Sequence, residues 1–158
     1  MKFRRVVSLC LLFFIILCVS CSNSSNSGND SGAEPEWSSV SNKSDLIGTW
    51  KADFYNSGIH DINTIYLGSN FSGFLKAEGD YSQAAANVKN SIPAVIAYYR
   101  SRGFTCTHDI SLEKYSVIMN FTSEDLDNLI SQGNIKIHSS KNKIQFTDDG
   151  KTAEYVKQ

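Results

Sequence analysis

The chain contains two different spacings of apolar residues, and each predicts its own kind of element. Apolar and polar residues alternate over 46–55, and β-branched and aromatic residues dominate 62–67 and 71–77. Stretches of this kind predict three strands. From residue 81 the apolar positions recur every three or four residues, which predicts a helix over 81–102. Pro93 lies inside it, so we expect a kink or two short helices.

The second half of the chain repeats these patterns in shorter segments. Further strands are predicted at 104–110, 116–121, 134–138, 143–147 and 152–157. Thr122 begins a short helix as its N-cap, and Asp149-Gly150 is a hairpin turn. The order of elements predicts a mainly β protein with inserted helices (α+β). Two architectures fit: a small antiparallel barrel, or a strongly curved sheet with one or two helices packed on it.

The first residues of the chain have the pattern of an export signal. Three basic residues precede an apolar run of 14 residues, Val6 to Val19, which only Ser8 interrupts. A transmembrane helix needs ~20 apolar residues, whereas the core of a signal peptide needs about 7–15. We therefore predict that residues 1–20 are a signal peptide, with an uncleaved anchor as the alternative.

The end of this run, Cys18-Val19-Ser20-Cys21, resembles the lipobox of bacterial lipoproteins. Ser20 occupies the small position before the cysteine, while Cys18 stands where leucine is usual. The resemblance implies that Cys21 is acylated and becomes the first residue of the mature protein. It also implies a lipid anchor in the bacterial cell envelope, at the outer membrane or cell surface rather than the inner membrane. Each buried CH₂ of such chains contributes about 0.8 kcal/mol of membrane affinity.

Composition divides the rest of the chain into a tether and a domain. Residues 21–44 are rich in Ser, Asn and Gly, which predicts a flexible tether with Trp37 as an edge contact of the domain. Residues 45–158 have the length of a single domain. Cys106 is its only cysteine, so no internal disulfide is possible. No basic patch indicates nucleic acid as a partner.

The start of the first predicted strand resembles a family signature. Leu46-Ile47-Gly48-Thr49-Trp50 is similar to the Leu-x-Gly-Thr-Trp start of bacterial lipocalin-like lipoproteins, and 67–73 and 146–151 are similar to hairpins of that group. The resemblance implies a small barrel with Trp50 plugging its closed end. In that family an arginine of the last strand often covers this tryptophan.

The covering residue has to differ in this chain, because no arginine follows Arg102. Lys151 or Lys157 is expected in its place, although an ammonium group stacks less well on a ring than a planar guanidinium.

Four aromatic residues are candidates for lining a small apolar ligand cavity: Trp50, Phe54, Tyr66 and Phe74. The alternative is that they fill the core, because barrels of about eight strands are often packed solid.

No cluster of residues predicts catalysis. Cys106 and His108 would share one strand face, where they would serve as metal ligands or as a nucleophile and its base. The simpler interpretation is that the thiol packs in the core and the histidine is hydrogen-bonded. The sequence contains no phosphate loop, no Gly-x-Ser-x-Gly and no His-Glu-x-x-His. We therefore predict no catalytic residue, no metal and no cofactor.

Two functional hypotheses lead, and a third, a hydrolase, requires Cys106, His108 and an acid to converge in one cleft. The first is a lipid-anchored, non-enzymatic envelope protein that binds a small apolar ligand or an envelope component. The second is a solid-core lipoprotein that binds a protein or a host surface, with an exposed face of the Tyr81–Tyr99 helix or the Tyr98-Tyr99 pair as the contact. An internal cavity below ~100 Å³ would favour the second hypothesis, because ligand pockets are several times larger.

Overall fold

The computed structural model describes residues 36–148 and 150–158. The predicted signal peptide, Cys21 and the tether before Glu36 lie outside these residues. The export signal and lipid attachment therefore stay predictions.

The described chain forms nine strands, two α-helices and one 3₁₀ turn. In chain order they are β1 (Trp37–Ser39), the 3₁₀ turn (Lys43–Leu46), β2 (Gly48–Asn56), β3 (Ile59–Leu67), β4 (Gly73–Asp80), α1 (Ala86–Ser101), β5 (Thr105–Asp109), β6 (Lys114–Phe121), α2 (Ser123–Ser131), β7 (Ile135–His138), β8 (Lys143–Asp148) and β9 (Lys151–Lys157). The eight strands predicted from the sequence are confirmed within a few residues at each end.

All nine strands belong to one antiparallel sheet in the order β1-β7-β8-β9-β2-β3-β4-β6-β5. β9 pairs with β2, so that Lys157 lies opposite Trp50 and the last strand joins the first long one. Among the described strands, β1 and β5 each pair on one side only, and the sheet does not close. The α+β prediction is confirmed, and the strands form an open sheet rather than a closed barrel.

One face of the sheet, called here the inner face, carries the core. Successive side chains of a strand point to opposite faces, and on β3 and β4 the odd-numbered residues are the buried ones. Ile144 of β8 and Met119 of β6 border the same internal cavity although four strands separate β8 from β6. The sheet therefore bends around its own core, and the opposite, outer face is turned to solvent.

Helix α1 packs against β5 and buries Ile92, Ile96 and Tyr99. It begins at Ala86, later than predicted, because Tyr81 and Ala84 form a turn before it. Pro93 lies inside one continuous helix, so the expectation of two short helices is wrong. The Ser91 hydroxyl, which could have capped a second helix starting at Pro93, instead donates to the carbonyl of Val88 in the preceding turn.

Helix α2 lies between β6 and β7 and contacts both strands. Thr122 accepts a hydrogen bond from the Asp125 N–H, and the Asp125 carboxylate accepts one from the Thr122 N–H. This capping box confirms the predicted helix start. Leu126 and Leu129 then face the core.

The sheet begins before the predicted domain boundary. Trp37, Ser38 and Ser39 pair with β7, and the Trp37 ring meets His138 edge to face with a centroid distance of 5.1 Å. These three residues fall within the predicted tether, 21–44, yet they form the edge strand of the domain. Trp37 therefore makes the edge contact with the domain that the sequence predicts.

Candidate functional site

The structure places the four candidate ligand-binding aromatic residues on two faces. Trp50 and Phe54 lie on the inner face of β2. Tyr66 and Phe74 lie on the outer face, paired across β3 and β4 with their ring centroids 5.4 Å apart. The sheet therefore separates the two pairs, and they do not line a common cavity.

Trp50 is a packing residue that joins the two ends of the domain. Its side chain is 0% exposed, and its indole N–H donates to the carbonyl of Leu46 at 2.7 Å. The ammonium group of Lys157 lies 5.0 Å from the centroid of the Trp50 ring. Of the two lysines considered from the sequence, Lys157 covers the Trp50 ring, and the cation–π contact links β9 to β2.

The space inside the fold is small and apolar. An internal cavity of about 30 Å³ lies between α2 and the sheet, bordered among others by Trp50, Leu75 and Phe146. Pockets for small-molecule ligands measure about 300–1,000 Å³. The cavity therefore lacks the room for an apolar ligand of ordinary size.

A buried carboxylate lies on the inner face at the other end of the sheet. Asp61 of β3 is 4% exposed, and its Oδ1 accepts a hydrogen bond of 2.6 Å from the Tyr115 hydroxyl. Burial raises the pKa of Asp61 from 3.8 to about 6, although the hydrogen bond from Tyr115 and the charge of His60 act to lower it. Burial also raises the pKa of Tyr115, and the neighbouring Asp61 carboxylate adds to the effect.

Gly79 makes this hydrogen bond possible. Asp61, Gly79 and Tyr115 are successive cross-strand partners on β3, β4 and β6. Because Gly79 has no side chain, the Tyr115 ring lies across it and its hydroxyl reaches Asp61 on the strand beyond. A Cβ added at Gly79 would lie 2.1 Å from Cζ of Tyr115. Gly79 is therefore required by the close approach of the Tyr115 ring.

Tyr115 also connects Asp61 to a second polar pair. Its ring stacks against that of Tyr81 with centroids 6.2 Å apart, and the Tyr81 hydroxyl is hydrogen-bonded to Nε2 of His108 at 2.7 Å. Asn63, two residues after Asp61, has a buried Oδ1 without a hydrogen-bond partner among the described residues. The polar groups thus form a buried layer at one end of the core.

Cys106 and His108 share the inner face of β5, but their contacts are with other groups. His108 binds Tyr81, while the Cys106 thiol lies 3.7 Å from the carbonyl of Phe104. Burial raises the pKa of Cys106, against a smaller opposite effect of Arg100. A raised pKa keeps the thiol protonated, which is the form that neither attacks nor binds a metal. Within residues 36–148 and 150–158, no group of three His, Cys, Asp or Glu side chains is placed to hold a metal ion.

The outer face carries an open groove, defined by one row of cross-strand partners: Tyr55, His60, Asp80, Lys114 and Asp109. The next row along the strands, from Ile62 to Thr107, forms its floor. The part of the groove from His60 to Asp109, without Tyr55, has a volume of about 570 Å³. An adjoining cleft of about 480 Å³ shares His60 and Asp80 with it and extends to the β2–β3 turn. We call the two together the outer groove.

Aromatic and imidazole rings form one end of the outer groove. The Tyr55 ring is 75% exposed and stacks on His60 with centroids 4.0 Å apart and planes 11° from parallel. Nε2 of His60 is 2.8 Å from Oδ1 of Asp53. The Tyr55 ring therefore has one face against the imidazole of His60.

Two carboxylates of the outer groove are held in place by backbone N–H groups. Oδ1 of Asp80 accepts from the Ser82 N–H at 3.0 Å, and this bond lowers the pKa of Asp80. Oδ1 of Asp109 accepts from the N–H and hydroxyl of Ser111, and the hydroxyl contact is the main cause of the lowered pKa of Asp109. Both groups are therefore ionised, oriented acceptors at neutral pH.

Sequence reasoning missed the outer groove. Each of its residues has the polar pattern of an exposed strand position, and nothing local relates Tyr55 to Asp80 or Lys114. The five residues come together only through the pairing of β2, β3, β4, β6 and β5. The sequence does contain one local indication of a surface site, the aromatic residue Tyr55 directly before the Asn56-Ser57-Gly58 turn.

Comparison with family models, with curated proteins and with solved structures found no match for this chain. Neither helix in the described part of the chain has the length and apolar character needed to span a membrane.

Tyr98 and Tyr99, the other candidate surface contact, are not an exposed pair. Tyr99 is 1% exposed and packs into the core, whereas Tyr98 is 37% exposed and lies under the guanidinium of Arg102. Helical neighbours point about 100° apart, so one of the two must turn inward when α1 packs on the sheet.

Proposed function

We propose that this protein is a lipid-anchored, non-enzymatic protein of the bacterial cell envelope that binds its partner in the outer groove. The observation that carries the proposal is a contrast in volume: the internal cavity measures about 30 Å³ and the outer groove about 570 Å³ in its larger part. The space that is large enough to bind a partner therefore lies on the surface and not in the core.

The lipid anchor is supported by the resemblance of Cys18–Cys21 to a lipobox and by the length of the preceding apolar run. Intact-mass measurement on protein purified from bacterial membranes tests it directly. The expected mature chain begins at Cys21 and carries acyl mass, and Cys21→Ser removes that mass and releases the protein from the membrane fraction. A chain that retains Met1, or one without acyl mass, would refute the anchor.

The domain is proposed to be an opened relative of the lipocalin-like lipoproteins. Support comes from the Leu46–Trp50 start, and from Lys157 covering the Trp50 ring where the family uses arginine. In such an opened form, α2 lies between β6 and β7, which are not paired with each other. Trp50 then has a structural role at the junction of first and last strands.

Binding at the surface rather than in the core predicts how the domain responds to apolar compounds. We expect no change in the thermal unfolding midpoint with saturating palmitate, haem or cholesterol, because the internal cavity does not admit them. A rise in the midpoint that depends on ligand concentration follows from binding to the folded state. Such a rise with any of the three compounds would overturn the surface-binding proposal.

A further inference from the structure

We propose that the larger part of the outer groove and the β5–β6 turn beside it, residues 110–113, dock a basic, extended segment of a partner protein. A lysine or arginine of that segment binds at Asp80 and Asp109, and an apolar side chain next to it packs on Ile110 and Leu112. This inference rests on the surface binding proposed above and adds the chemistry of the partner. We call the groove part and the turn together the docking surface.

The docking surface carries more negative than positive charge. Its groove part is lined by three carboxylates, those of Glu78, Asp80 and Asp109, and by one ammonium group, that of Lys114. Lys114 lies 3.7 Å from Asp80, and Lys76 beside the groove lies 2.6 Å from Glu78. Both nearby lysines therefore have a carboxylate partner, and one carboxylate remains over. This imbalance favours a cationic ligand and repels phosphate, sulfate or an acidic peptide.

Asp109 is the carboxylate that remains available. Its Oδ1 accepts all three of its hydrogen bonds, from the N–H and hydroxyl of Ser111 and from the N–H of Leu112. Among residues 36–148 and 150–158, no group pairs with its Oδ2. The hydrogen bond from the Ser111 hydroxyl is the main cause of its lowered pKa, so the group is charged at neutral pH. A lysine or arginine can bind Oδ2 without breaking an existing contact.

Two apolar side chains are exposed on the turn that follows Asp109. Ile110 is 70% exposed and Leu112 is 61% exposed, the highest values for large aliphatic side chains in the described part of the chain. Ile62 adds half-buried apolar surface to the groove floor. Exposed apolar surface bordered by charged groups is typical of a protein interaction site. The partner therefore needs an apolar side chain as well as a basic one.

The turn has a fixed shape before any partner binds. The three hydrogen bonds to Asp109 close its first half. In its second half, both carboxylate oxygens of Glu113 lie 2.7 Å from the ammonium group of Lys89 on α1. The Glu113 carbonyl also accepts from the Tyr81 N–H at 2.9 Å. Because the turn is tied to the domain at both ends, binding through its two apolar side chains costs little ordering.

The docking surface lies at the end of the sheet away from the start of β1. Antiparallel pairings through β7, β8 and β9 connect β1 to β2, so β1 and β2 run in the same direction. β2 ends at the outer groove, whereas the chain enters β1 at Glu36, whose carbonyl accepts from the Ser139 N–H of the β7–β8 turn. An anchor at Cys21 thus joins the opposite end of the sheet. The carboxylates would also repel anionic lipids, so a protein fits better than the anchoring membrane.

The groove part has the length of a short extended peptide. Its row of partners crosses four strands, from His60 on β3 to Asp109 on β5. Neighbouring strands are ~4.8 Å apart, so the row is ~14 Å long, which an extended peptide of about five residues spans. Alternate side chains of such a peptide point to the same side. Every second residue of the partner segment therefore faces the groove.

Binding of blocked hexapeptides to the acylated protein tests the proposal. The basic probe, Leu-Ser-Lys-Ser-Lys-Ser, has its leucine and both lysines on one side when extended, and it is used in this order and in reverse. An acidic analogue has glutamate for lysine, and a polar analogue has serine for leucine. We expect one basic probe to bind with a Kd of about 1 mM or below. The polar analogue should bind about fivefold or more weakly, and the acidic analogue should not bind.

Salt provides a second readout of the charge. Raising the ionic strength from about 0.05 M to 0.3 M should weaken binding of the basic probe several-fold, because salt screens exposed charges. The residual binding should come from the leucine, so the polar analogue should lose most of its affinity at the higher salt concentration.

Three variants test the residues of the docking surface. Asp109→Asn keeps an oxygen for the N–H groups of the turn but removes the charge, and it should weaken the basic probe about threefold or more. Leu112→Ser should weaken it about fivefold or more. Lys114→Gln removes the one cation of the groove part and should tighten it. Asp127→Asn on α2 and Val156→Ser on β9, a matched acid and a matched exposed aliphatic residue, should leave binding unchanged. Unchanged thermal midpoints show that the variants are folded.

The proposal is overturned if neither basic probe binds at about 10 mM, or if the acidic analogue binds as tightly. It is also overturned if Asp109→Asn and Leu112→Ser bind as the unaltered protein does, or if Lys114→Gln weakens the basic probe. Binding of the Cys21→Ser protein to phosphatidylglycerol vesicles that Leu112→Ser abolishes would assign the turn to a lipid surface instead.

Failure of the basic partner and failure of the proposed function give different results. Binding of the acidic analogue that Lys114→Gln weakens would reject a basic partner and retain surface binding in the outer groove. The acyl mass and the response to apolar compounds do not depend on the peptides, so they test the proposed function separately.

Discussion

Replacing Asp61 by Asn is expected to stabilise the protein at neutral pH, and this stabilisation is expected to be lost in acid. Asp61 is 4% exposed, and burial raises its pKa from 3.8 to about 6. A shift of about 2 pKa units corresponds to ~3 kcal/mol. That energy is the cost of keeping a negative charge in the core.

The sign follows from proton binding. Between pH 3.8 and about 6 the folded state keeps its proton on Asp61 longer than the unfolded chain does. The free energy of unfolding therefore falls as pH rises through this interval, and the full penalty is present above about pH 6. Below pH 3.8 both states are protonated, so Asp61 contributes no penalty there.

Urea unfolding of the unaltered protein and of Asp61→Asn at about pH 4 and pH 7.5 measures the effect. The introduced amide still offers an oxygen to the Tyr115 hydroxyl, but its NH₂ group adds donors that need partners, so the gain at pH 7.5 should be about 1–3 kcal/mol. Because the cost of the amide does not depend on pH, the stability of the variant relative to the unaltered protein should be about 2–3 kcal/mol lower at pH 4 than at pH 7.5.

Asp127→Asn is the matched control, because Asp127 is exposed and paired with Lys43 at the surface. Its effect should be within about 0.5 kcal/mol at both pH values. The reasoning would be refuted if the stability difference between Asp61→Asn and the unaltered protein were the same at both pH values. It would also be refuted if that difference favoured the variant less at pH 7.5 than at pH 4.

Three other substitutions test separate parts of the structure. Gly79→Ala places a Cβ against the Tyr115 ring, so it should lower the free energy of unfolding by about 1–3 kcal/mol. It should also alter the dependence of stability on pH that Asp61 causes. Unchanged urea curves would contradict the close approach of the ring to Gly79. Thr122→Ala removes the capping box of α2 and should lower the urea midpoint by the equivalent of about 1 kcal/mol, with Ser131→Ala at the other end of the helix as a milder control. Lys157→Ala removes the ammonium group over Trp50 and should lower the free energy of unfolding by about 0.5–1 kcal/mol. Lys157→Arg keeps a cation there and should preserve stability. Equal effects of the two substitutions would show that the cation does not contribute.

The positions of the elements follow from local signals. The capping box at Thr122 depends on residues within a few positions of each other, and it is where the sequence indicates. Alternation over β2 correctly separates the buried Trp50 from the exposed Lys51. Signals of this range do not depend on the rest of the fold, so the sequence is sufficient for them.

The face to which each aromatic residue points is not a local property. β3 has apolar residues at both odd-numbered and even-numbered positions, with Ile65 and Leu67 on one face and Tyr66 on the other. β4 has the same ambiguity between Phe74 and Leu75. Only the burial of one face against the core resolves it, because a shift of one residue in register exchanges the two faces.

The sequence by itself determined where eight of the nine described strands and helix α2 form, and it excluded an internal disulfide in residues 45–158. The tertiary structure decided that β9 joins β2, that Tyr115 crosses Gly79 to reach Asp61, and that Tyr55, His60, Asp80, Lys114 and Asp109 share one row. The physical reason is distance along the chain: these contacts join residues far apart in sequence, and their partners are chosen by the packing of the whole sheet around one core.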